Sequence, residues 1–299
     1  MNSFFKNSID YFHHFTRLYT HLLIPGLTMV SVFMSSCTEE MDIPLDESAV
    51  RLVVEGAVTT DTMEHIVNLT TTTSFYYPEE PPRVEGATVF LSDGFDTIPM
   101  TEVAAGSYRT DSHFFGVPGR TYSLSIKLKE PIGGYSEYSA SSYLHSVVDL
   151  DSISMQLNKD WGKQGVWEIK CYVQEPPTVD YYRFLIYKNK KLFTDIISHW
   201  FVTDDKFFNG SYANGATVSY LRQDNEYEAL KIGDTLTVEA DNISKEYYNY
   251  VLQVQAEVQG TNPMFGGPPA NVEGNISNGA IGFFTAYAYT RRTTITPPF

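Results

Sequence analysis

Strict alternation of apolar and polar residues over residues 121–129 is the sequence feature that most constrains the fold. The even positions carry Tyr122, Leu124, Ile126 and Leu128. The odd positions carry only threonine, serine and lysine. Because successive side chains of a strand point to opposite faces, this segment predicts an antiparallel strand with one face in the core and one face in water.

Other short segments of the first half have the same character and are separated by turn residues. The candidate strands are residues 51–58, 65–70, 87–91 and a segment that opens at Gly106. Their spacing, with no helical period between them, predicts a β-sandwich over residues 49–145. The sequences at residues 86–89, 106–108 and 119–122 resemble strand entries of immunoglobulin-like modules related to transthyretin.

The second half, residues 146–299, has the pattern of a second β-rich domain with one helix. The candidate strands are residues 152–157, 166–173, 181–188, 192–197, 217–221, 234–240 and about 280–289. Ser244 is a suitable N-cap for a helix near 244–258, where apolar residues repeat at about 3.6 positions before Gly260. The predicted fold is therefore mainly β, an immunoglobulin-like or transthyretin-like sandwich followed by this second domain.

The N-terminus contains an apolar run, residues 22–34, that is too short to span a bilayer but has the length of a signal-peptide core. Met-Ser-Ser-Cys follows at residues 34–37 and resembles a bacterial lipobox, with methionine in place of the usual leucine. The resemblance implies a signal peptide over residues 1–36 and lipidation of Cys37. An uncleaved N-terminal helix is the alternative.

Residues 37–48 are acidic, lack a period and include Pro44, so we interpret them as a linker. Glu39, Glu40 and Asp42 resemble the acidic signal that directs Bacteroidota lipoproteins to the outer face of the outer membrane. Two or more acyl chains at Cys37 would hold the protein stably at a membrane. The expected location is therefore the outer membrane, lipid-anchored and facing the cell exterior, with the periplasmic face as the alternative.

The charge balance restricts the partners of the chain. With 36 acidic and 21 basic residues, the formal net charge is −15. A chain of this charge repels phosphate backbones and anionic lipid headgroups, so we expect no nucleic-acid partner, and membrane contact through the lipid alone. Cys171 falls on the same face of a predicted strand as Trp167 and Ile169, because alternate residues share a face. It is therefore interpreted as a small core residue rather than a nucleophile.

Motifs for catalysis or metal binding do not occur in the sequence. There is no Gly-x-Ser-x-Gly elbow, no phosphate-binding glycine loop and no zinc-protease motif. His65, His113, His145 and His199 are far apart in sequence, although a metal site could assemble in three dimensions. We expect no catalytic residue, no metal and no cofactor, and hence no enzyme. A hydrolase site built from scattered acids is the alternative.

Two sets of residues are candidates for ligand contact or modification. Tyr76, Tyr77 and Trp200 lie in or beside loops, where aromatic rings can stack on sugars or anchor an interface, with packing as the alternative. Four Asp-Ser/Thr-apolar sequences are similar to the O-glycosylation signal of exported Bacteroidota proteins. The acceptors would be Thr62, Thr97, Ser152 and Thr235. The alternative is that these sequences begin strands after turns.

A set of motifs occurs in one order along the mature chain. They are the lipobox, Leu-Val-Val-Glu-Gly at 52–56, Val-Glu-Gly-Ala-Thr-Val at 84–89, Glu-Tyr-Tyr at 246–248 and Gly-Asn-Ile-Ser-Asn-Gly at 274–279. Together they resemble Bacteroidota outer-membrane lipoproteins that are classed as a domain of unknown function and are usually encoded beside TonB-dependent receptors. Only Cys37, as the lipid site, carries over from that family.

The resemblance implies a non-enzymatic surface lipoprotein that serves a TonB-dependent outer-membrane receptor in nutrient uptake, as an accessory or a ligand-binding partner for a small molecule or glycan. The alternative is a stand-alone glycan-binding surface lipoprotein. Residues 274–279 have two interpretations. Glycine and asparagine tolerate positive φ and can form a compact turn into the last strand, or the segment can contact a ligand.

Overall fold

A computed structural model describes residues 49–73, 80–258 and 272–299, which contain fifteen strands, one α-helix and one 3-10 helix. The strands are β1 Leu52–Thr59, β2 Ile66–Thr71, β3 Thr88–Ser92, β4 Thr97–Ala104, β5 Ser107–Arg109, β6 Thr121–Ile132, β7 Tyr135–Tyr143, β8 Ser152–Asn158, β9 Val166–Gln174, β10 Tyr181–Lys188, β11 Lys191–Leu192, β12 Phe201–Asp204, β13 Tyr212–Arg222, β14 Thr235–Ile243 and β15 Ile281–Ile295. The helices are α1 Lys245–Val258 and the 3-10 helix Ile197–His199. The predicted class, mainly β with a helix in the second half, is confirmed.

Strand β6 has the predicted amphipathic form. Its side chains at Tyr122, Leu124, Ile126 and Leu128 are buried. It pairs antiparallel with β3 on one side and with β7 on the other, so that Ser125 lies opposite both Phe90 and Ser139. The polar side chains of the odd positions consequently form part of an outer face shared by these three strands.

Strand β15 joins the two halves of the chain. It pairs parallel with β1, where Val53 lies opposite Ile281, and antiparallel with β14. The resulting sheet has the order β11-β10-β14-β15-β1-β2-β5-β4-β3-β6-β7, with β12 also paired to β10. Residues 48–299 accordingly form one compact unit.

Two large apolar cores, and a smaller cluster under the helix, lie on this framework in the described residues. In the first, side chains from β1, β2, β5 and β15 pack against those from β3, β6 and β7, and its fully buried members include Val54, Leu69 and Leu124. In the second, the separate sheet β13-β9-β8 packs against β10 and β14. Cys171 lies in this second core, as predicted, and burial raises the pKa of its thiol to about 12.

Helix α1 begins where the sequence places its N-cap. The Tyr247 N–H donates to Ser244 Oγ (3.1 Å), which satisfies one of the free N–H groups of the first turn. The buried face of the helix carries Tyr247 and Val251, which pack with Ile243 and Phe283. The helix therefore covers the sheet at β10, β12 and β15.

The prediction of a strand over residues 192–197 is wrong. Asn189 and Lys190 adopt positive φ angles of 50° and 67° and turn the chain back along β10. The N–H groups of Phe193 and Thr194 then both donate to Ile186 O (2.8 and 3.4 Å), so the regular pairing ends and β11 has only two residues. The Thr194 side chain then accepts a hydrogen bond from the Ile186 N–H (3.0 Å). The 3-10 helix Ile197–His199 follows in place of the predicted strand.

Strands β4, β7 and β12 were not predicted from the sequence. Proline interrupts the pattern of β4 at Pro99, and β7 carries the small residues Ala140 and Ser142 at its buried positions. Strand β12 has only four residues, too few to show a period. All three segments become strands because neighbouring strands supply their hydrogen-bond partners.

Candidate functional site

Residues 274–279 form hydrogen bonds to β7, the end strand of the large sheet, and Asn275 connects them to β15. The Phe284 N–H donates to Asn275 Oδ1 (2.9 Å), and Asn275 Nδ2 donates to Phe284 O (2.7 Å). The same Nδ2 also donates to Ser141 O of β7 (3.0 Å). The Asn275 amide therefore bridges β7 and β15 in the way that a strand backbone would.

Ser277 and Asn278 pair with the free side of β7. The Ser277 N–H donates to Ser139 O, and the Ser139 N–H donates to Ser277 Oγ, both at 2.8 Å. Asn278 Nδ2 donates to Glu137 O (2.7 Å). Because β7 ends the sheet, these bonds occupy backbone groups that an unpaired edge would present to other chains.

Glycines allow this close packing. A Cβ on Gly274 would lie 2.0 Å from Gly282 O, and a Cβ on Gly282, whose φ is 98°, would lie 2.1 Å from Val54 O. Asn278 and Gly279 have φ angles of 58° and 71°. The turn predicted for residues 274–279 is thus confirmed, with positive φ at the expected residue types.

A depression of about 460 Å³ lies beside this turn, on the outer face of β3, β6 and β7. Its lining consists of Thr88, Phe90, Ser125, Ile126, Lys127, Glu137, Tyr138, Ser139, Ser277 and Asn278. Most of these are the outward side chains of the three strands. The depression is our candidate functional site, because it combines the most distinctive sequence segment with an exposed aromatic ring.

The charged groups of this site neutralise each other. Lys127 Nζ lies 3.2 Å from Glu137 Oε1, and both side chains are largely exposed. Phe90 is 38% exposed between its cross-strand neighbours Pro99 and Ser125. The site therefore offers one apolar ring, several hydroxyl groups and no net charge.

A second, smaller depression of about 230 Å³ adjoins the first. It shares Tyr138 and Asn278 with the first depression and extends over Gly279 to residues 49–52. The start of the described chain therefore lies next to the candidate site.

Sequence reasoning identified the turn but missed Phe90, Lys127 and Glu137. The available signal was the alternation itself, since Phe90 is an aromatic residue between the inward residues Val89 and Leu91. An aromatic side chain at an outward strand position can present its ring to a ligand.

Residues 38–293 match the sequence profile of a family described as a domain of unknown function, DUF4249. The chain belongs to this family. No curated protein has a matching sequence. The match includes both depressions and the turn at residues 274–279.

Trp200 of the DUF4249 chain packs against a buried charge. Its Nε1 donates to Thr194 O (3.0 Å), and its ring lies 4.5 Å from the Arg183 guanidinium carbon. Arg183 Nε in turn donates to Asp241 Oδ2 (2.7 Å). Packing accounts for this position, and ligand contact by Trp200 stays a prediction. Tyr76, Tyr77 and Cys37 lie outside the described residues.

The four candidate glycosylation acceptors of this DUF4249 chain are spread over its surface. Thr62, Thr97 and Ser152 are exposed, whereas Thr235 is partly buried and its N–H donates to Asn189 Oδ1 (2.9 Å). Thr97, Ser152 and Thr235 are the first residues of β4, β8 and β14. The alternative explanation, that these sequences begin strands, therefore holds at three positions, and glycosylation stays a prediction.

Buried acids of the second half meet at one end of β9, β10 and β12. Glu175, Asp180 and Asp205 are 7%, 6% and 3% exposed, and Asp205 Oδ2 has no hydrogen-bond partner among the described residues. Burial and the neighbouring carboxylates raise the pKa values of Glu175 and Asp205. Within the described residues, no three His, Cys, Asp or Glu side chains are arranged to hold a metal ion.

The described helices of this DUF4249 chain include none that is long and apolar enough to cross a membrane.

Proposed function

We propose that this DUF4249 protein is a surface-exposed outer-membrane lipoprotein that serves a TonB-dependent transporter in nutrient uptake. Its role would be non-enzymatic, as an accessory or a ligand-binding partner. The observation that carries the proposal is Cys37, which follows the apolar run at 22–34 after two serines and begins the acidic linker at 37–48. That arrangement is typical of a lipid-anchored exported protein.

The position of the described fold supports a tethered arrangement. Its first strand begins at Leu52, a few residues after the linker at 37–48. A fully extended linker of that length reaches about 40 Å, so the lipid would keep the β body close to the membrane and its transporters. The net charge of −15 favours a body held by the lipid rather than by contact with anionic headgroups.

The ligand-binding part of the proposal is supported by the candidate site. It is a depression of a size suitable for a small molecule, and its lining is mostly hydroxyl groups around one aromatic ring. A non-enzymatic role is supported by the sequence, which carries no recognised catalytic motif. Activity of the purified protein on a broad hydrolase substrate panel would contradict that part.

The test is isolation of the lipidated protein from gently crosslinked outer membranes, with proteinase shaving of intact cells in parallel. We expect a TonB-dependent receptor to co-purify and the protein to be lost on shaving. Cys37→Ala, which removes the acyl acceptor, should release the protein from the membrane fraction. A matched triple variant, Glu39→Ala with Glu40→Ala and Asp42→Ala, should keep the anchor but lose surface exposure.

Two results would contradict parts of the proposal. Resistance to shaving in intact cells would place the protein on the periplasmic face. Loss on shaving without a co-purifying receptor would favour the second candidate, a stand-alone glycan-binding surface lipoprotein. That second candidate is favoured by the exposed ring of Phe90 in a site without net charge.

A further inference from the structure

We propose that the depression lined by Phe90, Ser125 and Asn278 binds one unit of a neutral saccharide. This inference rests on the proposed ligand-binding role. It adds to that role the class of the ligand and the residues that hold it. The ring of Phe90 would support the apolar face of the sugar, and the surrounding side chains would bind its hydroxyl groups.

The size of the depression fits such a ligand. Its volume of about 460 Å³ lies within the usual range of small-molecule sites, roughly 300–1,000 Å³. The outward side chains of three antiparallel strands form its base, and the turn at Ser277 and Asn278 forms one wall. A rigid sheet and a turn fixed by hydrogen bonds give a site that exists before the ligand arrives.

Phe90 supplies the apolar surface. It lies at an outward position of β3, opposite Pro99 and Ser125, and it is 38% exposed. The adjacent residues Val89 and Leu91 are buried in the core, so the side chain at position 90 faces outward. Exposed aromatic rings of this kind combine a large contact area with little loss of side-chain entropy on binding.

Unused polar groups surround the ring. The hydroxyl groups of Thr88 and Ser125 make no hydrogen bond to the described part of the chain. Asn278 uses its Nδ2 to donate to Glu137 O, and its Oδ1 accepts no hydrogen bond from a described residue. These donors and acceptors match a ligand that carries several hydroxyl groups around an apolar ring.

Charge favours a neutral ligand over a charged one. Lys127 and Glu137 are the charged residues of the lining, and their side chains pair at 3.2 Å. An acidic sugar would have to separate this pair and approach a protein of net charge −15. A neutral sugar has neither cost.

The test is saturation-transfer NMR on the full-length lipidated protein in a detergent without a sugar headgroup. The probes are the methyl glycosides of glucose, galactose, mannose and N-acetylglucosamine, with methyl glucuronoside as the charged comparison. We expect transfer to the ring C–H protons of at least one neutral glycoside, with weaker transfer to the glucuronoside. Phe90→Ala should weaken the binding at least tenfold.

A matched control and a second variant make the test specific. Tyr220→Ala removes an exposed aromatic ring from the other sheet and should leave the affinity within twofold. Ser125→Tyr fills the depression from an outward strand position and should abolish binding. Because positions 90 and 125 are on the outer face, both variants should retain the wild-type thermal unfolding temperature within a few degrees.

Several results would overturn the inference. They are absence of transfer from all four neutral glycosides, unchanged binding by Phe90→Ala and Ser125→Tyr, or loss of binding by Tyr220→Ala. The saccharide inference and the proposed transporter partnership can fail independently of each other. A receptor that co-purifies with a protein inert to all glycosides would remove only the saccharide inference. A saccharide-binding protein without a receptor would remove only the transporter partnership.

Discussion

Asn275 and Phe284 are joined by two hydrogen bonds, in which a side-chain amide takes the place of a strand backbone. The Phe284 N–H donates to Asn275 Oδ1 at 2.9 Å, and Asn275 Nδ2 donates to Phe284 O at 2.7 Å. Asn275 Nδ2 also donates to Ser141 O of β7. One side-chain amide therefore connects β7, the end strand of the sheet, with β15, the strand that joins the two halves of the chain.

Asn275→Ala should destabilise the protein, because it leaves the two backbone groups of Phe284 without partners. Each unpaired buried polar group costs about 1–3 kcal/mol, so for two groups we expect the free energy of unfolding to fall by about 2–6 kcal/mol. Urea unfolding followed by tryptophan fluorescence measures the change. The control is Asn278→Gly, which removes one exposed hydrogen bond and keeps the positive φ. Equal effects of the two variants would contradict the bridging role of Asn275.

Gly282→Ala should prevent the parallel pairing of β1 with β15. At a φ of 98°, a Cβ would lie 2.1 Å from Val54 O, and the contacting atom belongs to the backbone. We expect a loss of more than about 4 kcal/mol or failure to fold, at the upper end of single-residue effects.

The matched control for this glycine is Gly279→Ala. Gly279 also has positive φ, at 71°, but nothing lies within 4 Å of its Cβ position. Its substitution should cost only the left-handed backbone penalty, about 1–2 kcal/mol. Thermal unfolding of the two variants, side by side, separates steric exclusion from backbone strain. A Gly282→Ala protein as stable as Gly279→Ala would show that β15 can shift away from Val54.

Asp205→Asn should stabilise the protein at high pH. Burial raises the pKa of Asp205 in the folded state, and the negative charge of Asp180 adds to this, against a backbone hydrogen bond at Asp180 that lowers the pKa. The contribution of Asp205 to stability is therefore fully present below the ordinary carboxyl pKa. It is lost as the pH rises through the raised pKa. We therefore expect the variant to unfold at a higher temperature than the wild type at pH 8, and this gain should disappear near pH 4. Thermal unfolding across that pH range measures the effect.

The control for this pH dependence is Asp224→Asn. The hydrogen bond from Arg222 lowers the pKa of Asp224, so this carboxylate stabilises the fold above its ordinary pKa and loses that effect as the pH falls. The two variants should therefore change the pH profile of the unfolding temperature in opposite directions. A profile of Asp205→Asn parallel to the wild type would show that Asp205 is not the group that titrates.

Arg183→Met should be strongly destabilising, because it leaves Asp241 buried without a counter-charge. The Arg183 side chain is 5% exposed and the Asp241 side chain 0%. Breaking a buried pair by removing one partner costs about 3–5 kcal/mol, whereas replacing both partners by apolar residues is often tolerated. The double variant Arg183→Met with Asp241→Val should therefore regain at least half of the loss.

Lys127→Met is the exposed counterpart of that change. The distance from Lys127 Nζ to Glu137 Oε1 is 3.2 Å, which is typical of an ion pair, but both side chains are about 70% exposed. Its loss should change the free energy of unfolding by less than about 1 kcal/mol in a chemical denaturation experiment. If the double variant at positions 183 and 241 is no more stable than Arg183→Met alone, the unpaired charge of Asp241 is not the source of the cost.

Local patterns in the sequence were sufficient for the elements with a strong period. The alternation of residues 121–129 determines the buried face of β6, and Ser244 determines the start of α1. The same holds for the turn at 274–279, since glycine and asparagine are the residues that accept positive φ. Each of these features depends on the preferences of a few neighbouring residues, which a single sequence displays directly.

Only the tertiary structure decided which distant segments pair with each other. Nothing local indicates that Ile281 lies opposite Val53, that Asn275 bridges to Ser141, or that β4 with its Pro99 is a strand at all. The candidate site depends on the same distant pairings, since Phe90, Lys127 and Asn278 meet only after β3, β6, β7 and the last turn assemble. A sequence records which face of each strand is apolar, but the partner of each edge follows from packing the whole chain.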